Sequence, residues 1–569
     1  MRGEVKDEGG NILQNVTIMQ IRTGYIFRSG SLGTFGIGSG HSVDSFLFTQ
    51  QGYYTERIAL YADNFNYIKM RLLPASASSL HRDKLSSLTK DLDKDEQKTW
   101  YTGDETYASL LENHFIDAKK FSTTGMSLNV DRASYSNIRR FITLNSQVPP
   151  DAVRIEEMLN YFNLDYMEPA GNALFHCRTT LSSCPWNSSN QLYYINLFSK
   201  KLNLDSLPPS NLVFLIDVSG SMDMPNRLPL LKSAFRLLVN NLRDKDSVSI
   251  VVYGGVTGTM LNCTSGAEKE KILKVLDELV PGGSTPGESG IKMAYAIARR
   301  HFMKDGNNRV ILATDGDFNV GLKTEDELDE LISKEKESGI YLTCLGVGMG
   351  NYKDSKIQTL ANKGNGNFAY LDNFKEAEKV LLKEFTQTLY AVANNVYMNV
   401  EFNPDYVKQY RLIGFDNKVG VLRDSMSIVE GGEIGSGFSL IALFEIVPTD
   451  QNKAAIKTFK SGDKFSEILL DYQKPENDSL DFHDHYTGKF EYTPPHILEK
   501  FYKFYSAVAL FGSLLRNSQF VKEASWSDVI SIAQGSVGET DLLQKEFINL
   551  VNLAKNLYPK NRKRKSGSY

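Results

Sequence analysis

Between residues 211 and about 390 the chain repeats one arrangement, a short run that is apolar nearly throughout followed by an amphipathic stretch. The runs are LVFLI (212–216), VSIVVY (248–253), RVILAT (309–314), IYLTCLGV (340–347) and FAYL (368–371). A strand with one wet face alternates apolar and polar, whereas these runs demand burial on both faces. The stretch after the first run sets Leu231, Ala234, Phe235, Leu238 and Leu242 at spacings of three and four, one face of a helix. Strand then helix, repeated, predicts an α/β fold: a doubly wound parallel sheet covered on both sides.

A chain of 569 residues is too long for one core, so other domains must flank this one. Residues 1–75 alternate apolar and polar between glycine turns (GEVKDEGGNILQNVTIMQI, GTFGIG, DSFLFTQQGYYTERIAL), which predicts a small β-sandwich. Residues 76–105 are polar and read as a linker. Residues 106–205 carry two helical stretches, SYSNIRRFITL and DAVRIEEMLNYF, then strand-like alternation. The α/β domain is bounded at 206–391. Strands resume over 392–495 and helices fill 496–558, including YSAVALFGSLL (505–515), too short to span a bilayer and read as a core helix. The tail, 559–569, holds the basic cluster KNRKRK and is expected to be solvated. A net charge of −4 gives no footprint for nucleic acid. Four cysteines form no framework, and pairing of Cys177 with Cys184 stays open.

The chemistry gathers where the strands end. LVFLI runs into Asp217-x-Ser219-x-Ser221, RVILAT runs into Asp315, and Thr285 lies between them in the glycine-rich loop GGSTPGES. In an open parallel sheet, ligands sit beyond the C-terminal ends of the strands. Singly, each residue is an ordinary turn or cap. Together they bring two carboxylates and three hydroxyls to one edge, a set of hard oxygens suited to Mg²⁺, with Ca²⁺ or Mn²⁺ less selectively held. Only two of those groups are anionic, so a bound cation would keep positive charge and a position for an Asp or Glu of a protein partner. The expected rim of that site is Met222, Asp223, Asn226, Gly255, Ser284, Glu288, Asp317 and Asn319, on loops 222–227, 255–259 and 317–322. No GxxxxGK[ST], HExxH or GxSxG is present, so no enzyme is expected. The competing readings are a scaffold that does not use metal and, more remotely, a Mg²⁺-dependent hydrolase.

DVSGSM, the Thr285 loop and TDGDFN resemble the von Willebrand factor A domain and its metal-ion-dependent adhesion site. The resemblance implies Asp217, Ser219, Ser221, Thr285 and Asp315 as metal ligands, direct or through water. A wider set covers most of 106–557: YASLLENHF, MSLNVDRASYSNIRRF, DAVRIEEMLNYF, CPWN, YKDSKIQTLANKGNGNFAYLDNFKEAEKVL, YRLIGFDN and GEIGSG. These resemble the bacterial YfbK-like group, whose STFSIDVDTASY stands here as TGMSLNVDRASY, with Arg132 in place of a Thr. The resemblance implies an exported protein of the periplasm or cell surface, held to the membrane only through a lipid anchor that this chain lacks. The abrupt start, Met1-Arg2 straight into a strand-like stretch, fits a trimmed chain. By the same analogy, the β-rich pieces at about 170–205 and 392–480 are expected to pair into one sandwich, with the α/β domain inserted. Gly3-x-Val5-x-Asp7, Gly33-x-Phe35 and Gly52-Tyr53 resemble a carboxypeptidase regulatory-like domain.

Overall fold

The computed structural model describes the chain apart from 72–104, 317–330, 416–431, 458–461, 559–569 and short gaps at 8–9, 24, 31, 51–52, 109, 111, 129, 204–206, 256, 284–286, 337, 351, 385–386, 388, 476 and 539–540. Every statement of number or absence below concerns the described residues. The expected linker, except Glu105, and the basic tail lie outside them. The chain divides into two compact units, Met1–Gln97 with Gly420–Val429, and the remainder.

The first unit is built of β-strands. Its strands are β1 (Arg2–Asp7), β2 (Thr17–Gln20), β3 (Ile26–Arg28), β4 (Thr34–Gly36), β5 (Val43–Thr49), β6 (Glu56–Tyr61) and β7 (Phe65–Met70). They form two sheets, ordered β4-β1-β7 and β3-β2-β5-β6. Alternation does the folding: in β7, Ile68 and Met70 point into the core with Val5, Ile18, Phe46 and Phe48, while Phe65 and Tyr67 face out.

The second unit begins with β8 (Ile116–Asp117), β9 (Thr123–Ser127), α1 (Ala133–Thr143), α2 (Ile155–Tyr161), β10 (Phe175–Ser183) and β11 (Gln191–Ser199). The α/β domain follows, with β12 (Ser210–Asp217), α3 (Leu228–Asn240), β13 (Ser247–Tyr253), β14 (Gly258–Ser265), α4 (Lys269–Glu278) and α5 (Gly287–Arg300). It continues through β15 (Asn307–Thr314), β16 (Tyr341–Gly346), α6 (Asp354–Lys363), β17 (Phe368–Tyr370) and α7 (Phe374–Glu378). Next come β18 (Ala391–Phe402), β19 (Val407–Ile413), β20 (Gly432–Gly435), β21 (Ser439–Pro448), β22 (Lys464–Lys474) and β23 (Asn477–Lys489). The chain closes on α8 (Lys500–Leu515), α9 (Trp526–Gln534) and α10 (Leu542–Leu557).

The strands on either side of the α/β domain do pair. β11 runs antiparallel to β21 with Tyr193 opposite Phe444, in a sheet ordered β10-β11-β21-β19-β8. A second sheet, β20-β18-β22-β23 with β9 against β18, shares its core with the first through Tyr193, Phe402, Phe444 and Phe465. The closing helices pack on α1 and α2 around Phe162, Phe504, Phe511 and Phe547. No helix is long and apolar enough to cross a membrane. Cys177 and Cys184 are both free.

In the inserted domain the sheet order is β14-β13-β12-β15-β16-β17, so in domain order it reads 3-2-1-4-5-6. One face of β12 (Leu212, Phe214, Ile216) packs under α3, α4 and α7; the other (Val213, Leu215) packs under α5 and α6. Entry and exit are clasped together: Ser210 Oγ lies 2.8 Å from Tyr390 OH, and Asn307 Nδ2 donates to Leu389 O at 2.9 Å. The expected loop bounds need correcting. The loop 255–259 is shorter than expected, because Gly258 and Thr259 already belong to β14, an antiparallel edge strand. That strand buries little beyond Leu261 and Thr264, so no apolar run announces it. Glu105, placed in the linker, instead accepts hydrogen bonds from Nη1 and Nη2 of Arg140 at 2.7 and 2.8 Å.

Candidate metal centre

The order 3-2-1-4-5-6 reverses direction between β12 and β15, and the crevice beyond their C-terminal ends is where such sheets receive ligands. Asp217 is the last residue of β12, and Asp315 follows the last residue of β15. Both are fully buried. Asp217 is held by neutral donors: Ser219 N to Oδ1 at 2.8 Å, and Thr314 Oγ1 and Tyr253 OH to Oδ2 at 3.1 and 3.2 Å. Burial pushes its carboxyl up to about 6; hydrogen bonds from Ser219 and Thr314 pull it down, and the Asp315 charge adds to the rise. Ser219 Oγ and Ser221 Oγ lie 3.0 Å apart on the turn that follows.

Three loops are laced into one floor. Val218 N donates to Tyr253 O and Gly282 N to Val218 O, each at 2.7 Å, and Gly220 N donates to Gly283 O at 3.1 Å. The stem of the Thr285 loop is therefore tied to the Asp217 turn, although Thr285 and Ser284 lie outside the described residues. Gly254 makes the close approach possible: its φ is +119°, and a Cβ there would stand 2.2 Å from Ser219 N.

Asp315 has a different partner. Arg227 Nη1 donates to its Oδ2 at 2.6 Å and to Ser221 O at 2.7 Å, while Nη2 donates to Met349 O at 2.8 Å. Arg227, Tyr253 and Thr314 were not singled out from sequence. Tyr253 and Thr314 end their strands level with Asp217, which is a usable signal. Arg227 stands immediately before α3, where the helix dipole disfavours a cation, so an Arg there implies a nearby acid.

Of the expected rim, Asp223 is exposed and Asn226 and Gly255 are half-buried. Glu288 sits in the first turn of α5 and pairs with Lys292. Asp317 and Asn319 lie outside the described residues. Met222 is a correction: its side chain is fully buried in the core beneath α3, because the short turn Gly220–Met222 rolls it inward.

These residues fit a divalent cation. Asp217 is a buried carboxylate with no cationic partner among the described residues, and serine oxygens lie beside it. No three His, Cys, Asp or Glu side chains converge as a metal site, so a cation at this edge would depend on hydroxyls, a hard-oxygen set.

Known proteins agree with this architecture. Family models match for "von Willebrand factor" over 101–194, "von Willebrand factor type A domain" over 211–386 and "Uncharacterized protein YfbK, C-terminal" over 387–557. The uncharacterized protein YfbK of Escherichia coli (strain K12) is 37% identical over 472 residues, covering 79% of this chain and 81% of that protein. The chain belongs to the YfbK family. This YfbK-family chain is also 25% identical over 219 residues to inter-alpha-trypsin inhibitor heavy chain H2 of Mesocricetus auratus, covering 37% of the chain and 22% of that relative. Among solved structures, a von Willebrand factor type A protein from Catenulispora acidiphila is similar over 69% of this chain and 91% of its own, with 11% identity and a TM-score of 0.40. Von Willebrand A domains are protein-interaction modules, often metal-dependent; they commonly bind a divalent metal and are generally not enzymes.

Proposed function

We propose that this protein is an exported, divalent-cation-dependent protein-binding module that captures a partner's Asp or Glu side chain at the Asp217 edge. One observation carries the reading: a fully buried carboxylate, held by neutral donors alone, at the switch point of a parallel sheet and beside two serine oxygens. Asp217, Ser219 and Ser221 would hold Mg²⁺, or Ca²⁺ or Mn²⁺ in its place, with Thr285 and Asp315 completing the set. When bound, the cation supplies positive charge for an outside oxygen. Tyr253 and Thr314 fix the Asp217 carboxylate, so its orientation does not depend on the cation. The N-terminal sandwich is read as carboxypeptidase regulatory-like, and the protein as a lipid-anchored resident of the periplasm or cell surface.

The test is thermal unfolding after chelator treatment, with Mg²⁺ or Mn²⁺ added back to wild type and to Asp217→Ala. A ligand bound only by the folded state stabilises by about 2.7 kcal/mol at a hundred times its Kd. Stabilisation in wild type that vanishes in Asp217→Ala is the expected result; none in either sinks the reading. A metal-free surface scaffold is the second reading, favoured by the Arg227–Asp315 pair, which neutralises one of the two carboxylates from within.

A further inference from the structure

We infer that Arg227 sets the metal affinity of this site, because its guanidinium and a divalent cation compete for the same Asp315 carboxylate; the inference rests on the metal-binding reading. The guanidinium is not a surface charge that has fallen onto an acid. Its side chain is 7% exposed and that of Asp315 is 0% exposed. Its two terminal nitrogens reach three anchors on three segments: Asp315 after β15, the Ser221 carbonyl in the turn after β12, and the Met349 carbonyl after β16. The socket is shaped for it. Gly348 has a φ of +82°, and a Cβ at that position would stand 2.5 Å from Arg227 Nε. Any larger residue there would press on the guanidinium.

Charge decides the consequence. Asp217 and Asp315 bring two negative charges to the edge, and Arg227 returns one positive charge in contact with Asp315. A cation arriving beside Asp217 meets that positive charge through a dry, weakly screening interior, where like charges repel far more than in water. It also finds one Asp315 oxygen already committed to a charge-assisted hydrogen bond. Both effects weaken capture of the bare cation. Both also leave a captured cation under-neutralised, which strengthens its pull on an outside carboxylate. Arg227 thus trades affinity for the metal alone against affinity for metal and acidic partner together.

The experiment is calorimetric titration of Mn²⁺ into chelator-treated full-length wild type, Arg227→Gln and Arg227→Lys, with metal-free thermal unfolding of each as the folding control. Glutamine removes the charge and keeps a polar head, and binding is expected to tighten by about tenfold or more. Lysine keeps the charge, so its affinity should lie nearer to wild type than that of Arg227→Gln. Mn²⁺ binding to Arg227→Gln that is equal to or weaker than wild type would overturn the inference while leaving the metal site standing. No heat from either protein would remove the metal site itself, and the inference with it. Should Arg227→Gln fail to fold, Gly348→Ala displaces the guanidinium without deleting a charge. Tighter Mn²⁺ binding in that variant supports competition, and unchanged binding overturns it.

Discussion

Asp131 is a buried acid whose protonation is tied to folding. Its Oδ1 accepts from Phe368 N at 2.9 Å and its Oδ2 from Gln358 Nε2 at 3.2 Å. Gln358 also donates to Glu157, and Arg154 joins Glu157 to Asp354. Two carboxylates thus share one guanidinium, and Asp131 joins them through Gln358, in a dry seam between the sandwich helices and the inserted domain. Burial, then the Glu157 charge, push the Asp131 carboxyl from its ordinary 3.8 up to about 7. Its folded value is raised, so between those two limits the folded state holds a proton that the unfolded chain has released. The stabilisation is complete below about pH 4 and is lost as pH rises through about 7, by at most about 1.4 kcal/mol per unit. Urea unfolding at a series of pH values should show that decline in wild type. Asp131→Asn should remove most of it and unfold later than wild type at about pH 8. A variant that follows the wild-type curve would mean Asp131 is not the titrating group.

At the scale of elements, the site is three turns held together by backbone, and glycine is what lets them touch. Gly254→Ala would drive a methyl group into Ser219 N while forcing an L side chain into a positive φ. The expected cost is about 2 kcal/mol or more, with loss of the Mn²⁺-induced stabilisation. Gly258→Ala, where an added Cβ meets nothing within 4 Å, is the control and should move stability by less than about 0.5 kcal/mol. Equal melting temperatures for the two variants would remove the lacing argument. The same elements explain what could be read in advance. The parallel strands are buried on both faces, so their sequences are apolar runs that no other environment tolerates. Asp217, Ser219, Ser221 and Asp315 stood out because polar residues ended such runs. β14 and β23 (NDSLDFHDHYTGK) are edge strands with polar faces, and nothing in their composition separates them from loops. Arg227 was hidden for another reason: its meaning lies in Asp315 and Met349, 88 and 122 residues away in the chain.

Across the whole molecule, several buried ion pairs tie the inserted domain to its surroundings, and one of them branches three ways. Arg139, on α1, donates to Asp372 and Glu376 at 2.6 Å each and to Glu546, on α10, at 2.8 Å. Arg139→Met leaves Asp372 and Glu376 buried without that cation, and breaking such a buried pair costs about 3–5 kcal/mol. The inserted domain should then unfold in its own urea transition, ahead of the sandwich, when followed by fluorescence and circular dichroism together. A single coincident transition at the wild-type midpoint would show the tie to be dispensable. The clasp between Ser210 and Tyr390 carries a mechanical consequence. Both chain crossings lie at the start of β12 and the Asp217 edge lies at its far end, roughly 23 Å away along seven residue steps. A partner pulling on that edge, against a sandwich fixed at the other, draws the central strand along its length. The hydrogen-bond ladders to β13 and β15 on either side then bear the load side by side in shear, so the strand resists as a whole where a peeling hairpin would give way one bond at a time.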